Sequence, residues 1–350
     1  ISIRTVLLAS QAVGVSKISN LLESEDVLNT LKTIKKLGIN YRKTGNTHII
    51  EGFGLNGFNT QKKITINAGN SGTLARLILG LLVKSKKKVK LIGDKSLSKR
   101  DFSRVSELLS KFGVKFKLHN DKNLPLTIFG CQKLKPIRYF ENKGSAQVKS
   151  AVMFAALNTF GETIIKAKKS RDHSELLYKH LKLPIKIIKK KKYDIIKVKG
   201  RNKIPALNYK IPCDISSAAF FIVLTALTKR SRLEIKNVNV NPSRMGVFYI
   251  LKLMGVKISK LNIKDYKGEK IADIKVAGGK ELKAINCPTK FNSGAIDEFL
   301  IIFILAAKAR GVSYFKDLAE LDQKESPRLQ WGAKILNLMG VENIVTNDSI

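Results

Sequence analysis

The stretch RVSELLSKFGVKFKL (Arg104–Leu118) changes character at one residue. Before Gly113, apolar side chains fall three and four apart, as on the single buried face of a helix; after it the pattern is that of a strand. Glycine at such a junction fits the left-handed residue just past a helix end. The same helix–glycine–strand reading applies to LNTLKTIKKLGINYR (stop at Gly38), VFYILKLMGVKIS (Gly255) and WGAKILNLMGVENI (Gly340). In a further copy, ELLYKHLKLPIKI, Pro184 stands where the others have glycine, and proline also ends a helix. The stops lie about 70 to 85 residues apart, too far for a solenoid unit and suited to a β/α subdomain.

These copies predict an α/β protein of two domains. NYKIPCDISSAAFFIV (Asn208–Val223) marks the boundary, because Pro212, Asp214 and the pair Ser216–Ser217 read as the entry to a buried helix. Residues 1–212 then hold three repeats and residues 213–350 two. A symmetric pair would need a sixth copy, so the chain is expected to lack a C-terminal part, with Ile350 read as lying inside a strand.

The 350 residues are 44% hydrophobic, enough for two sizeable cores. The longest apolar runs, AAFFIVL and FLIIFILAA, are too short to span a bilayer. Cys131, Cys213 and Cys287 form no paired motif and read as reduced thiols of a cytoplasmic protein. With the four histidines they make no ligand pattern, so neither a metal nor a cofactor is expected. The net charge of +38 fits either a nucleic-acid binder or an enzyme for small anions with a lysine-rich surface. Aromatics are only 7%, the lysines are spread along the chain, and no nucleic-acid module is recognisable. Small anionic substrates are the better reading, with the nucleic-acid binder kept as the rival.

NAGNSGTLARL (Asn67–Leu77) sets two glycines before a helical apolar run that carries Arg76. A helix start offers unpaired N–H groups and a positive dipole end to an anion. The plainer alternative is a tight turn, a threonine cap and an arginine reaching solvent. Five other segments repeat the pattern. GDKSLSKRDFSRV holds Lys99, Arg100 and Arg104; KGSAQVKSAVMFAAL holds Ser145, Ala146 and Gln147; KSRDHSELL holds Arg171 and Asp172. NSGAIDEFLIIFILAA carries Asp297 and Glu298, and LDQKESPRLQW carries Lys324, Glu325 and Arg328. Each alone fits a capped helix with solvated charges. Together they point to a cleft lined with helix starts, suited to phosphate and carboxylate groups. Asp297 and Glu325 are its acid–base candidates.

ISIRTVLLAS, NAGNSGTLAR, GDKSLSKR, GSAQVKSA, RDHSE, NPSRMG, AIDEF and QKESPRL, in this order, resemble the 5-enolpyruvylshikimate-3-phosphate synthase family over essentially the whole chain. The resemblance implies two inside-out α/β barrels built from β/α repeats, acting as a monomer in the cytoplasm. It implies attack of the 5-hydroxyl of shikimate 3-phosphate on C2 of phosphoenolpyruvate, protonation of C3, and loss of phosphate from the tetrahedral adduct. By the same resemblance Ser2, Arg4, Ser145, Ala146, Gln147, Arg171, Asp297 and Lys324 match shikimate 3-phosphate contacts. Asn70, Gly72, Arg100, Gln147 and Arg328 match phosphoenolpyruvate contacts. Asp297 matches the base at the 5-hydroxyl, Glu325 the proton donor to C3, and Arg76 a supporting arginine.

Three positions depart from the family pattern: Asp101 replaces a proline, Asp322 an arginine that usually adds positive charge, and Pro327 an aspartate. The family's first lysine and its last phosphoenolpyruvate-binding segment are not in the sequence, so the chain as it stands is expected to be inactive or nearly so. SAQVKSA and RDHSE resemble the bacterial class with glyphosate-tolerant members, yet tolerant members often carry alanine at the position of Gly72. UDP-N-acetylglucosamine enolpyruvyl transferase is the nearest rival, but Cys131 does not sit in the context of that enzyme's reactive cysteine.

Overall fold

In the computed structural model residues 1–323 and 326–350 are described, and they divide into two compact units, Ile1–Ile211 and Pro212–Ile350. The division falls one residue from the boundary read in the sequence. Among the described residues no helix is long and apolar enough to cross a membrane.

The first unit repeats one pattern: buried helix, strand, amphipathic helix, hairpin. The first copy is α1 (Ser2–Ala9), β1 (Ala12–Ser19), α2 (Glu25–Lys36), β2 (Asn40–Thr44) and β3 (Thr47–Phe53). A linking strand, β4 (Ile64–Asn67), precedes the second: α3 (Gly72–Leu81), β5 (Val89–Ile92), the short α4 (Lys95–Ser98), α5 (Ser103–Ser110), β6 (Lys115–His119) and β7 (Asn123–Phe129). After β8 (Arg138–Glu141) comes the third: α6 (Ala146–Leu157), β9 (Glu162–Lys168), α7 (His173–His180), β10 (Ile185–Lys189) and β11 (Tyr193–Lys199). The strands β12 (Ile204–Pro205) and β13 (Asn208–Lys210) return to pair parallel with β1. Likewise β4 lies parallel to β5 and β8 to β9, so each linker joins a repeat other than the one it leaves.

In every copy the last strand of the hairpin inserts between the other two: β1-β3-β2, β5-β7-β6 and β9-β11-β10. The leading helices α1, α3 and α6 are buried almost all round, as apolar sequences without a polar stripe must be. Helices therefore form the interior of the unit, and the sheets, whose outer strands are largely exposed, form its outside. This is the inside-out α/β arrangement expected. The second unit opens with the same copy: α8 (Ile215–Leu227), β14 (Arg232–Asn239), α9 (Gly246–Leu253), β15 (Lys257–Tyr266) and β16 (Glu269–Ala277), in the order β14-β16-β15. α10 (Asn292–Ala295), α11 (Phe299–Ala306) and α12 (Arg328–Leu338) follow, and α11 packs into the core beside α8 and α9.

The helix stops behave as read, with φ of +86° at Gly38, +103° at Gly113, +90° at Gly255 and +71° at Gly340. Pro184 is a correction. The left-handed residue of that copy is Lys182, at φ +54°. The N–H groups of Lys182 and Leu183 bond back to the carbonyls of Lys179 and Tyr178, as those of Gly38 and Ile39 bond to Lys35 and Ile34. The helix end is thus fixed by the hydrogen-bond register, with Pro184 two residues beyond it. The strand expected after Gly340 is also not formed. The chain near Ile350 instead exchanges two backbone hydrogen bonds with Phe315, at 2.8 and 2.9 Å. After each other stop the new strand pairs with the next strand of a hairpin; among the described residues 341–350 have no such ladder partner.

Each hairpin closes on a second glycine that the sequence reading missed. A Cβ at Gly52 would lie 2.4 Å from the carbonyl oxygens of Ala9 and Ala12. At Gly130 it would lie 2.4 Å from the Ser85 oxygen, at Gly200 1.9 Å from that of Thr159, and at Gly278 2.1 Å from those of Thr225 and Thr228. Each hairpin end thus lies against the end of its own leading helix at a distance only glycine allows.

Candidate functional site

Two leading helices of the first unit start side by side. Ser71 caps α3 by accepting the Leu74 N–H at 3.2 Å, and Ser145 caps α6 by accepting that of Val148 at 3.3 Å. The cap of α3 is therefore the serine. Thr73 lies inside the helix, where its hydroxyl accepts from the Gln147 amide at 3.0 Å. The other end of the Gln147 amide accepts from Arg76 at 3.0 Å, so this one side chain ties the two helix starts together. Arg76 also donates to the carbonyls of Gly72 (3.4 Å) and Asp101 (3.3 Å) and lies over the Phe102 ring at 4.9 Å. These contacts tie it to three segments of the unit.

Around this pair sit three further expected residues, Asn70, Gly72 and Arg100. Arg100 donates to Asn70 at 3.4 Å, and Asn70 donates to Asp94 at 2.5 Å. Asp94 caps α4 through the Leu97 N–H at 2.7 Å; that bond, then the Asn70 amide, holds its carboxyl below the usual range. Gly72 is the first residue of α3, and a Cβ there would come within 2.7 Å of an Arg100 guanidinium nitrogen and 2.9 Å of an Arg76 one. Asn70, Gly72, Arg76, Arg100 and Gln147 are therefore one cluster.

A second cluster joins α1, α6 and α7. Arg4 donates to Ser174 at 3.0 Å and to Ser150 at 3.4 Å, and the two hydroxyls share a hydrogen bond of 2.7 Å. Ser2 is buried and accepts the Leu22 N–H at 3.3 Å. Arg171 precedes α7; its carbonyl accepts from the Lys149 ammonium at 3.1 Å. Lys149 in turn forms an ion pair of 2.6 Å with Glu175, both side chains only 4% exposed. Burial pushes the Glu175 carboxyl upward and Lys149 opposes it. Ser145 takes its backbone N–H to Glu141 at 2.9 Å, and Ala146 opens α6.

In the second unit Asp297 and Arg328, expected in different roles, form an ion pair of 3.2 Å. Beside Asp297, the buried Glu298 accepts from Ser216 and lies 3.8 Å from Arg244, which pairs with Asp214 at 2.9 Å. Lys324 and Glu325 lie outside the described residues.

Two of the three departures have structural work to do. Asp101 accepts both the N–H and the hydroxyl of Ser103, at 2.7 and 2.6 Å, at the start of α5. Asp322 accepts the Leu329 N–H at 2.7 Å in the first turn of α12. Only Asp322 removes a positive charge, and each of the two satisfies a helix start. Pro327 sits directly before α12, where its missing N–H costs nothing. Sequence reading missed Asp94, Thr73, Ser150, Ser174, Lys149 and Glu175. The spacing of Asp94 from Leu97 was a readable cap signal; the others meet only through tertiary contacts.

The profile of the EPSP synthase family (3-phosphoshikimate 1-carboxyvinyltransferase) matches residues 1–350. The curated 3-phosphoshikimate 1-carboxyvinyltransferase of Ruthia magnifica subsp. Calyptogena magnifica is 42% identical over 352 residues, covering 100% of this chain and 79% of its own length. That of Zymomonas mobilis is 39% identical over 344 residues, covering 97% and 75%. The crystal structure of EPSP synthase from Acinetobacter baumannii superposes with a TM-score of 0.87 at 35% identity, over 99% of this chain and 78% of that one. An enolpyruvyl transferase from Streptomyces tendae shares the fold at a TM-score of 0.65 and 14% identity, over 90% and 72%. On sequence and fold together, the chain belongs to the EPSP synthase family.

Proposed function

We propose that the full-length enzyme transfers the enolpyruvyl group of phosphoenolpyruvate to the 5-hydroxyl of shikimate 3-phosphate and releases phosphate, a step of the shikimate pathway, with the two clusters of the first unit among its anion-binding groups. Ser2, Arg4, Ser145, Ala146, Arg171 and Lys324 hold shikimate 3-phosphate. Asn70, Gly72, Arg100 and Arg328 hold phosphoenolpyruvate, and Gln147 serves both. Guanidinium groups suit this work because their planar fork matches carboxylate and phosphate oxygens.

Asp297, oriented by its Arg328 partner at 3.2 Å, takes the proton of the 5-hydroxyl as that oxygen bonds to C2. Glu325 supplies a proton to C3. The adduct then loses phosphate from C2 and a proton from C3, which restores the enol double bond. The chain works as a monomer in the cytoplasm.

The observation that carries this reading is Gln147, which joins the capped starts of α3 and α6 through Thr73 and Arg76. Two parallel helix starts with arginines beside them are suited to two anions. Titration calorimetry tests it: shikimate 3-phosphate binds the purified chain, and Arg171→Ala weakens binding about 10- to 100-fold, the loss of one charge-assisted hydrogen bond. Phosphate release that needs both substrates is the matching assay. Release with UDP-N-acetylglucosamine in place of shikimate 3-phosphate refutes the assignment.

A further inference from the structure

Lys149 and Glu175 match no substrate contact, yet they form a deeply buried ion pair beside the shikimate 3-phosphate cluster. Their side chains are 4% exposed, and no solvent-facing duty explains them. Stability does not explain them either, since desolvating two charges offsets most of their attraction and an apolar pair of similar volume is commonly as stable. What the pair does is geometric. Lys149 stands on the second turn of α6, and its ammonium reaches Glu175 on the first turn of α7 at 2.6 Å and the backbone carbonyl of Arg171 at 3.1 Å. One cation thereby fixes α7 against α6 and pins the backbone of the arginine that precedes α7. The neighbouring bond from Ser150 to Ser174, 2.7 Å, joins the same two helices, and Arg4 donates to both hydroxyls.

We infer that Lys149 and Glu175 are positioning residues for shikimate 3-phosphate: they set the placement of Arg171 and Arg4 without touching the substrate. This rests on the functional reading above. A carbonyl held by an ammonium cannot swing, so the Arg171 side chain starts from a fixed backbone. Arg4 depends on the Ser150–Ser174 pair, which keeps its spacing only while α6 and α7 stay in register. Of the phosphoenolpyruvate contacts, Gly72 and Arg100 lie on α3 and after α4, away from this linkage, and Gln147, though on α6, is held from the α3 side by Thr73 and Arg76, so the effect falls mainly on one substrate.

The test is titration calorimetry on the whole chain, with shikimate 3-phosphate alone and with phosphoenolpyruvate at saturating shikimate 3-phosphate. The double variant Lys149→Met with Glu175→Met removes both charges while keeping the volume. The expected result is a melting temperature close to wild type, a Kd for shikimate 3-phosphate raised about tenfold or more, and a phosphoenolpyruvate Kd changed by less than about threefold. Glu175→Gln keeps volume and an acceptor for Lys149, and is expected to restore part of the affinity; if the double variant does not fold, this variant decides by the same selectivity. Unchanged shikimate 3-phosphate affinity overturns the inference, and so does an equal loss for both ligands, which marks a general packing defect. A wild-type chain that does not bind shikimate 3-phosphate overturns the functional reading and this inference with it; a wild type that binds while the variants bind equally well overturns the inference alone.

Discussion

Alanine at Gly80 places a methyl group between the two helices whose starts carry the first cluster. An ideal Cβ there lies 2.1 Å from the carbonyl oxygen of Ala151 and 3.1 Å from the Phe154 Cβ. Ordinary contact begins at 3.4 Å, so α3 and α6 must part by 3.4 − 2.1, or 1.3 Å, where they cross. The obstacle is helix backbone and has no rotamer to escape into. Separation of that size carries the two 3.0 Å bonds of Gln147, to Thr73 and Arg76, beyond hydrogen-bond range. Overpacking costs about 1–3 kcal/mol. Losing the bond to Arg76 adds about 1.5–3 kcal/mol. The better helix propensity of alanine returns only about 1 kcal/mol. The net expectation is a loss of roughly 1.5–5 kcal/mol, which lowers the melting temperature by roughly 3–20 °C in a unit of this size. Shikimate 3-phosphate affinity falls with it. Calorimetric melting and substrate titration on the two proteins measure both effects. A Gly80→Ala protein that melts at or above wild type and binds substrate equally well refutes the view that this backbone contact sets the helix spacing.

In the full-length enzyme Gly72→Ala should weaken glyphosate inhibition at least tenfold while raising the phosphoenolpyruvate KM less, because the methyl, at 2.7 and 2.9 Å from the Arg100 and Arg76 nitrogens, takes space that the longer inhibitor needs; equal inhibition constants in one assay would falsify this. Lys182→Gly should raise stability by about 0.5–1 kcal/mol in a denaturant titration, since a left-handed lysine at φ +54° costs more than the extra freedom of glycine; a destabilised variant counts against the assignment of Lys182 as the stop. Asp273 is held at about 2, below its usual 3.8, first by the Asn262 side chain at 2.8 Å, then by the Asn237 N–H at 2.9 Å. A depressed carboxyl stabilises the fold above its unfolded pKa, so this contribution should disappear as pH falls from about 4 through about 2. Asp273→Asn should flatten the acid limb of a stability–pH curve over that window, and an unchanged limb would show that the network does not act through the charge.

The local grammar of the chain was legible because it is written within a few residues. A switch of hydrophobic period followed by glycine needs only neighbouring side chains and one left-handed residue, and so Gly38, Gly113, Gly255 and Gly340 could be read directly. The ordered motifs at helix starts were legible for the same reason, since caps and anion-binding N–H groups are properties of single turns. Where the outcome depended on a partner far along the chain, the sequence was silent or misleading. Pro184 has the composition of a stop, yet the hydrogen bonds from Lys182 and Leu183 fix the end two residues earlier. A strand after Gly340 has the right residues, but a strand exists only through its ladder. Asp322 looked like lost positive charge, and Asp101 like a mere departure from proline, until the N–H groups that they accept from were visible. Lys149 and Glu175 are separated by a strand and a turn, and nothing in their spacing brings an ammonium to the carbonyl of Arg171. Sequence alone determined the repeat, the class of substrate and the capped helix starts. Tertiary structure decided how those starts are held together, because contacts such as Gly80 against Ala151 and Lys149 against Glu175 come into being only when the helices pack.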